Sequence, residues 1–545
     1  MAATPILAVA QSKSSPTTKA QATSLFDQLS SRELVIGLSG PLGCGVSEVS
    51  DVLARQLRDM GYEVVFWKVS ALIRAYAQYL KNPPKQSELQ HLTGSQRYER
   101  YQFLGNSLRL ERGCDFLAHL VVTHISLHRQ KSHPGVDPRA ITPEKVAYIV
   151  DQLKHPDECQ LLRAVYRENF YLVGVLGNAD SRKRRLRSEG IDSAEAEGLM
   201  ERDRKQDENY GQKLEKTLQL ADFFVRNSKS NSEELAAATI RFVKLIHGSI
   251  KVFPTRVEQG MYAAYSAARA SACLSRQVGA AIHNRQGILI ATGCNDVPKG
   301  GGGLYREGEG EDDRCAFLQG GVCFNHLEKD LIRNEFKLQI SKKLKELSSE
   351  QKYASLSGSE DDIAQQLAQI ARDETRLNDL IEFSRAVHAE MDALVSLART
   401  GNGRAQDGVL FTTTYPCHNC ARHIIAAGIR AVYFVEPYEK SLAVKLHHDA
   451  IDHDASVEEP LDNWDSLHAS KRRVKFFHFE GVAPSKYLEL FSAKGDRKIA
   501  STGKAIEFVM NEAKKKESLL LESYIEIEAR LTEGLVNQGI QLVEL

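Results

Sequence analysis

The chain has 545 residues, of which 42% are hydrophobic and 26% are charged, a balance typical of a globular protein. Lysine plus arginine and aspartate plus glutamate each total 71, and this zero net charge disfavours a bulk polyanion binder but leaves room for local basic patches. The length predicts about two to four domains. Nine cysteines at no framework spacing are typical of a reducing compartment, so we expect a cytoplasmic protein.

The first 30 residues are rich in Ala, Ser, Thr and Gln, which predicts a flexible tail over 1–30. Their apolar run has only six residues and no basic residue before it, unlike a signal peptide. The chain contains no run of roughly 18 apolar residues, the length that a membrane span needs. We therefore expect no membrane partner.

Residues 31–249 alternate short apolar runs with amphipathic segments. The runs are ELVIGL (33–38), YEVVFW (62–67), KVAYIV (145–150), FYLVGVL (170–176) and ADFFVR (221–226). This rhythm predicts an α/β domain in which helices cover a parallel sheet.

A glycine-rich stretch, GLSGPLGCGVSEVS (37–50), follows the first run and precedes a helical segment. It matches the phosphate-binding pattern GxxxxGK[ST], except that Val46 replaces the lysine. The candidate nucleotide-binding residues are Gly40, Gly43, Gly45, Ser47 and, after the third run, Asp151. They suit a nucleoside triphosphate with Mg²⁺, although the missing lysine disfavours phosphoryl transfer. The alternative is a glycine-rich turn without a ligand.

The second half predicts a three-layer αβα domain over 250–490. Its predicted helices are 251–268, 384–399, 418–427 and 441–451, and its strands are 277–282, 287–293, 408–413, 431–435 and 474–479. An insertion at about 300–383 contains the acidic stretch EGEGEDD and a charged helical region. The last part, 491–545, is predicted as a helical segment, with the helix itself from about Ser501.

The motif VHAEMDAL and the motif PCHNC, 26 residues beyond Glu390, form an HxE…PCxxC constellation. His388, Cys417 and Cys420 offer zinc three ligands and leave its fourth position to water, as in catalytic zinc sites. Glu390 is a carboxylate placed to move protons. The alternative is a chance HxE beside a redox or structural CxxC.

These motifs resemble those of the cytidine and deoxycytidylate deaminase superfamily over about Arg256 to Phe479. The resemblance implies that Glu390 deprotonates a zinc-activated water, which attacks C4 of cytosine and releases ammonia. The segment 275–298 is similar to the deoxycytidylate branch, which implies that Asn295 meets the sugar. A plain turn-forming role is the alternative for this asparagine.

Residues 33–248 resemble P-loop kinases, including a basic lid with the stretches GNADSRKRRLRSEG and ERDRKQDENYG. Together the two halves resemble bacterial antiphage deoxycytidine nucleotide deaminases. That resemblance implies conversion of dCTP and dCMP to dUTP and dUMP, depletion of the dCTP pool, a homo-oligomer, and restraint by a small inhibitory RNA. Two alternatives stay open: a nucleic-acid base deaminase of the tRNA or editing type, and a nucleotide-sensing regulatory protein with a deaminase scaffold.

Two further groups of residues have ligand chemistry without a firm pattern. Cys315, Cys323 and His326 are candidates for a second metal site. Lys440 and Lys445 are candidates for phosphate contacts, and solvated lysines on a helix face are the alternative.

Overall fold

The computed structural model describes residues 31–136, 141, 145–204, 206, 208–227, 232–318, 320–349, 355, 358–373, 375, 383–436, 441–453, 473–493, 497–511, 513, 515 and 522–543. The predicted tail 1–30 and Lys440 lie outside the described residues. The chain divides into two compact units. The first comprises Met1–Phe253, Gly481–Ala483 and Leu488–Leu545, and the second Pro254–Glu480 and Pro484–Tyr487. Among the described helices, none is both long and apolar enough to cross a bilayer.

All five apolar runs of the first half form strands of one sheet. They are β1 (Leu34–Ser39), β2 (Glu63–Lys68), β3 (Val146–Asp151), β4 (Phe170–Leu176) and β5 (Phe223–Arg226). The strands pair in parallel in the order β2-β3-β1-β4-β5. β1 and β4 are buried throughout, which explains their continuous apolar sequence. The predicted α/β class is confirmed.

Ten α-helices are described between residues 31 and 249 of the first unit. They are α1 (Val46–Asp59), α2 (Val69–Tyr76), α3 (Gln86–Gln90), α4 (Gly94–Arg112), α5 (Phe116–Ser132), α6 (Pro156–Tyr166), α7 (Ala179–Ser188), α8 (Ser193–Arg204), α9 (Leu214–Leu218) and α10 (Ser232–Ile246). The apolar faces of α1 and α10 pack with β1 in one core, so both helices cover the sheet. The helix α1 begins shortly after the carboxyl end of β1.

The second unit contains another sheet, in the order β7-β6-β8-β9-β11-β10. Its strands are β6 (Gly279–His283), β7 (Leu289–Cys294), β8 (Val409–Thr414), β9 (Ala431–Glu436), β10 (Ile451–His453) and β11 (Val474–His478). β6 pairs antiparallel with β7 and β8, and the other pairs are parallel. The described helices are α11 (Arg256–Ala268), α12 (Phe324–Ser348), α13 (Glu360–Asp373), α14 (Ala389–Thr400), α15 (His418–Ala426) and α16 (Ala443–Leu446). The helices α12 and α13 lie in the predicted insertion.

Two glycines show how closely helices approach this sheet. A Cβ on Gly279 would lie 1.9 Å from the Ala264 carbonyl oxygen in α11. A Cβ on Gly293 would lie 2.3 Å from the Ala389 carbonyl oxygen in α14. Gly293 pairs with the residue after Gly279, and successive residues of a strand face opposite sides. The two helices therefore cover opposite faces, which gives three layers.

The predicted helices 251–268 and 384–399 begin later than expected, at Arg256 and Ala389, and two other predictions differ more. In the segment 441–451, only one helical turn forms, and Ile451 instead pairs with Val474 in the added strand β10. The apolar Ile451 is buried by that pairing, which overrides the local helical pattern. In the predicted C-terminal helix, residues 497–511 are not helical, because Lys498 and Ala505 form a bridge around a turn with Gly503 at φ 68°.

The C-terminal part returns to the first unit. β12 (Gly481–Val482) pairs antiparallel with β5, α17 spans Tyr487–Phe491, and α18 (Glu522–Asn537) packs on α5 and α6. The α18 contact contains buried charge, because Arg129 in α5 bonds the carboxylates of both Glu33 and Glu528. The predicted helical segment 491–545 is thus part of the first unit and contributes one described long helix.

A partly buried lysine in this returning segment gives a pH-dependent stability. Lys515 donates to the carbonyl of Glu33 and, at 2.5 Å, to Oδ1 of Asn169, and burial lowers its pKa to about 7. The unfolded chain binds this proton up to about pH 10, so the free energy of unfolding is expected to rise between pH 7 and 10. Urea unfolding at several pH values measures this slope, and Lys515→Met should flatten it. An unchanged slope in that variant would contradict the assignment.

Candidate active site

Two helix starts bring together the three predicted zinc ligands. His388 caps α14, Cys417 caps α15, and Cys420 lies in the first turn of α15. The Nδ1 of His388 is 3.3 Å from Sγ of Cys417 and 3.4 Å from Sγ of Cys420. Both cysteines are buried. Three ligand atoms within 4.8 Å of one another form a group that could hold a metal ion.

The electrostatics of this group suit a cation. A hydrogen bond from Cys420, aided by His388, lowers the pKa of the Cys417 thiol to about 4. The bond with Cys417 in turn raises the pKa of His388 to about 9. The buried thiolate is thus paired with a positively charged imidazole, and a bound cation would take over that role. Two thiols and one imidazole are soft and borderline donors, the set that zinc prefers, so the residues fit this ion.

Glu390, the second residue of α14, lies at the same site. It is buried, and its Oε2 accepts from Sγ of Cys420 at 3.4 Å. Burial raises the pKa of its carboxyl group. Glu390 contacts the ligand Cys420 but does not belong to the ligand group itself. A carboxyl group in this position is suited to proton transfer.

The backbone next to Asn295 is hydrogen-bonded to the segment that leads into this site. Asp296 forms a β-bridge with Val387, the residue before His388. The Asn295 side chain itself is used locally: Oδ1 accepts from the Val278 N–H at 2.6 Å, and Nδ2 donates to the Arg276 carbonyl at 2.8 Å. One amide hydrogen remains for a ligand. The described contacts of Asn295 thus fix the loop before β6.

The candidate nucleotide-binding residues of the first unit lie in and around the glycine-rich loop. It connects β1 to α1, with Gly43 at φ 79° and Gly45 at φ 76° in the left-handed region. Ser47 Oγ donates to Oδ2 of Asp151 at 3.3 Å, so the two candidate magnesium contacts meet at the carboxyl ends of β1 and β3. Burial raises the pKa of Asp151. Gly40 begins the loop and takes a hydrogen bond on its carbonyl.

The sequence reasoning missed two charged residues at this loop. Asp203, at the end of α8, accepts the Leu42 N–H at 2.6 Å. Lys154, just after β3, bonds both Asp203 at 2.6 Å and the Gly40 carbonyl at 2.8 Å. The signal was the position of Lys154, three residues after Asp151, and of Asp203 in the lid stretch ERDRKQDENYG.

The other candidate metal residues do not assemble in the described part of the chain. Cys315, Cys323 and His326 form no ligand group there, and His326 lies 3.4 Å from Asp330 instead. A second group, Cys114, His155 and Asp157, does cluster in the first unit. Both ring nitrogens of its histidine already bond backbone atoms, so this cluster is explained as the cap of α6.

Comparison with known proteins agrees with the site in the second unit. Residues 254–436 match the family model described as cytidine and deoxycytidylate deaminase zinc-binding region. The deoxycytidylate deaminase of Enterobacteria phage T2 is 25% identical over 207 residues, which cover 37% of this chain and 92% of the phage protein. The ComE operon protein 2 of Bacillus subtilis (strain 168) is 40% identical over 57 residues, 10% of this chain and 29% of that protein.

A solved structure of the dCMP deaminase from cyanophage S-TIM5, in complex with dCMP and dUMP, aligns with 18% identity and a TM-score of 0.21. The alignment covers 41% of this chain and 95% of that chain. The family match begins at residue 254, where the second unit begins, and includes all three residues of the buried ligand group. The C-terminal region of this protein is therefore a deoxycytidylate deaminase domain, with its zinc-binding region at residues 254–436.

Proposed function

We propose that the chain is a zinc-dependent hydrolase that deaminates deoxycytidine nucleotides to deoxyuridine nucleotides and ammonia. The observation that carries this proposal is the buried group of His388, Cys417 and Cys420, with Glu390 in contact with it. When bound, zinc would activate a water molecule for attack on the cytosine ring.

Glu390 has the proton-transfer role in this proposal. Its carboxylate accepts one proton of the attacking water and gives it to ring nitrogen N3. It then accepts the remaining proton of the new C4 hydroxyl group and delivers it to the departing amino group. Water adds at C4 and ammonia leaves, so the atoms balance. Burial of Glu390 supports the role, because a raised pKa eases both halves of this exchange.

Asn295 is proposed to contact the deoxyribose through its remaining amide hydrogen. The position of its backbone next to Val387 and His388 supports this assignment. Lys445, at the end of α16, is proposed as a contact for the substrate phosphate. Both assignments place the sugar and phosphate toward loops at the carboxyl ends of the sheet strands.

The first unit is proposed to bind a nucleoside triphosphate with Mg²⁺. The contact between Ser47 and Asp151 at the end of the glycine-rich loop supports this role. Resemblance to antiphage deaminases extends the proposal to dCTP as well as dCMP, to depletion of the dCTP pool during phage infection, to a cytoplasmic homo-oligomer, and to restraint by a small RNA.

A substrate panel tests the deaminase proposal. Purified protein is expected to release ammonia from dCMP or dCTP much faster than from cytidine or from an oligonucleotide that contains cytosine. The assay measures ammonia and the uracil product, with and without ATP and GTP. Preference for the oligonucleotide would replace the proposal with a nucleic-acid base deaminase. If the zinc-loaded protein forms no product from any substrate, the result would favour a nucleotide-sensing regulatory protein with a deaminase scaffold.

A further inference from the structure

The glycine-rich loop already holds an anion that belongs to the protein. The carboxylate of Asp203 is only 2% exposed and accepts the Leu42 N–H through Oδ2 at 2.6 Å. Leu42 is the third residue of the motif that begins at Gly40, so this N–H belongs to the loop itself. An internal carboxylate thus uses one of the groups that such loops offer to phosphate.

The same loop also has a buried cation that the motif does not predict. Nζ of Lys154 donates to the Gly40 carbonyl at 2.8 Å and to Oδ1 of Asp203 at 2.6 Å. Its side chain is 10% exposed. Lys154 follows Asp151 by three residues and so enters the loop from the end of β3. Val46, at the motif's lysine position, is buried in the core beneath the sheet instead.

We propose that Lys154 takes the role of the missing motif lysine as a phosphate ligand, and that Asp203 occupies a phosphate position until a nucleoside polyphosphate displaces it. This inference rests on the proposed nucleotide loop and is independent of the deaminase chemistry. Besides the amino-terminal end of α1, it is supported by the buried ammonium group of Lys154 and by the buried carboxylate of Asp203 that accepts the loop N–H.

Charge compensation explains why the exchange can occur. A buried lysine is more stable beside an anion, and a phosphate group offers at least as much negative charge as a carboxylate. In Asp203→Asn, Lys154 keeps the Gly40 carbonyl and the nearby Asp151 carboxylate. On displacement, Leu42 N–H and the Lys154 ammonium pass from Asp203 to phosphate oxygens. Displacement breaks the two hydrogen bonds of the Asp203 carboxylate, with the Leu42 N–H and with Lys154. Because the nucleotide must first break these bonds, Asp203 weakens nucleotide binding in the unaltered chain.

Calorimetric titration of the full chain with inorganic tripolyphosphate and Mg²⁺ tests this inference. Asp203→Asn removes the competing charge and should tighten binding by at least about tenfold, the equivalent of one hydrogen bond to a charged group. Adding Lys154→Met to that variant should weaken binding again by at least about tenfold. The double variant buries no unpaired charge, so it avoids the folding defect expected of Lys154→Met alone.

Lys183 and Glu197 provide a matched control. They form a solvent-accessible lysine–carboxylate pair on α7 and α8, 2.6 Å apart. Glu197→Gln should leave tripolyphosphate affinity within about twofold. Equal affinity of Asp203→Asn and the unaltered chain, or of the single and double variants, would overturn the inference.

The outcomes separate this inference from the proposals on which it stands. If no variant binds tripolyphosphate while dCMP is still deaminated, the nucleotide loop and this inference both fail, and the deaminase assignment stands. If the variants bind in the expected order but no substrate is deaminated, the inference holds and the deaminase proposal fails.

Discussion

Replacement of Glu390 by Gln is expected to lower the rate of ammonia release from dCMP by about 10²- to 10⁴-fold, the usual contribution of a general acid and base. The amide has nearly the same size and can still accept from Sγ of Cys420. It cannot carry a proton from water to the ring. Glu390 does not belong to the ligand group of His388, Cys417 and Cys420. The variant should therefore still bind one zinc ion per chain.

The measurement pairs steady-state kinetics with metal analysis of the same preparation. Asp407→Asn serves as the control, since this carboxylate precedes β8 at the end opposite Cys417 and pairs with Arg430 at 3.5 Å. It should leave kcat and zinc content unchanged. Cys417→Ser should lose both zinc and activity. Near-normal kcat in Glu390→Gln would remove Glu390 from the mechanism.

The zinc group could be predicted because short-range spacing determines it. Glu390 follows His388 by two positions, and Cys420 follows Cys417 by three, so each pair lies at one helix start whatever the rest of the fold does. The strands were predictable for a similar reason, since a run buried on both faces is continuously apolar. Only the meeting of the two helix starts required the fold.

The charged contacts of the first unit could not be predicted in this way. Lys154 and Asp203 are 49 positions apart, and Arg129 and Glu528 are 399 apart. No local pattern distinguishes a buried lysine from a solvated one. The strand β10 was missed because three residues are too few to show the alternating apolar pattern of a strand. Its pairing with β11, and not its own sequence, makes it a strand.

The second large effect is expected at the contact that attaches α18 to the first unit. Arg129 donates to Glu33 at 2.8 Å and to Glu528 at 2.6 Å, and all three side chains are nearly inaccessible. Tyr166 adds a hydrogen bond to Glu528 at 2.8 Å. Arg129→Met would leave two carboxylates facing each other without a cation. Removing one partner from such a buried group costs about 3–5 kcal/mol.

Hydrogen exchange of the amides in α18 measures this cost locally. Protection in Arg129→Met should fall by more than about 100-fold, the equivalent of about 3 kcal/mol in the opening equilibrium. Arg530→Met is the control, because Arg530 forms an exposed pair with Glu526 on the same helix and should change protection by less than about threefold.

Glu528→Gln separates charge from packing in the same experiment. An amide has the same size and can still accept hydrogen bonds from Arg129 and Tyr166, so it costs less than loss of the guanidinium. Arg129 keeps Glu33 as its anionic partner in this variant. Protection should therefore fall less than in Arg129→Met. An equal fall in both variants would mean that α18 is held by its packed shape, and that the guanidinium contributes no more than any side chain of its size.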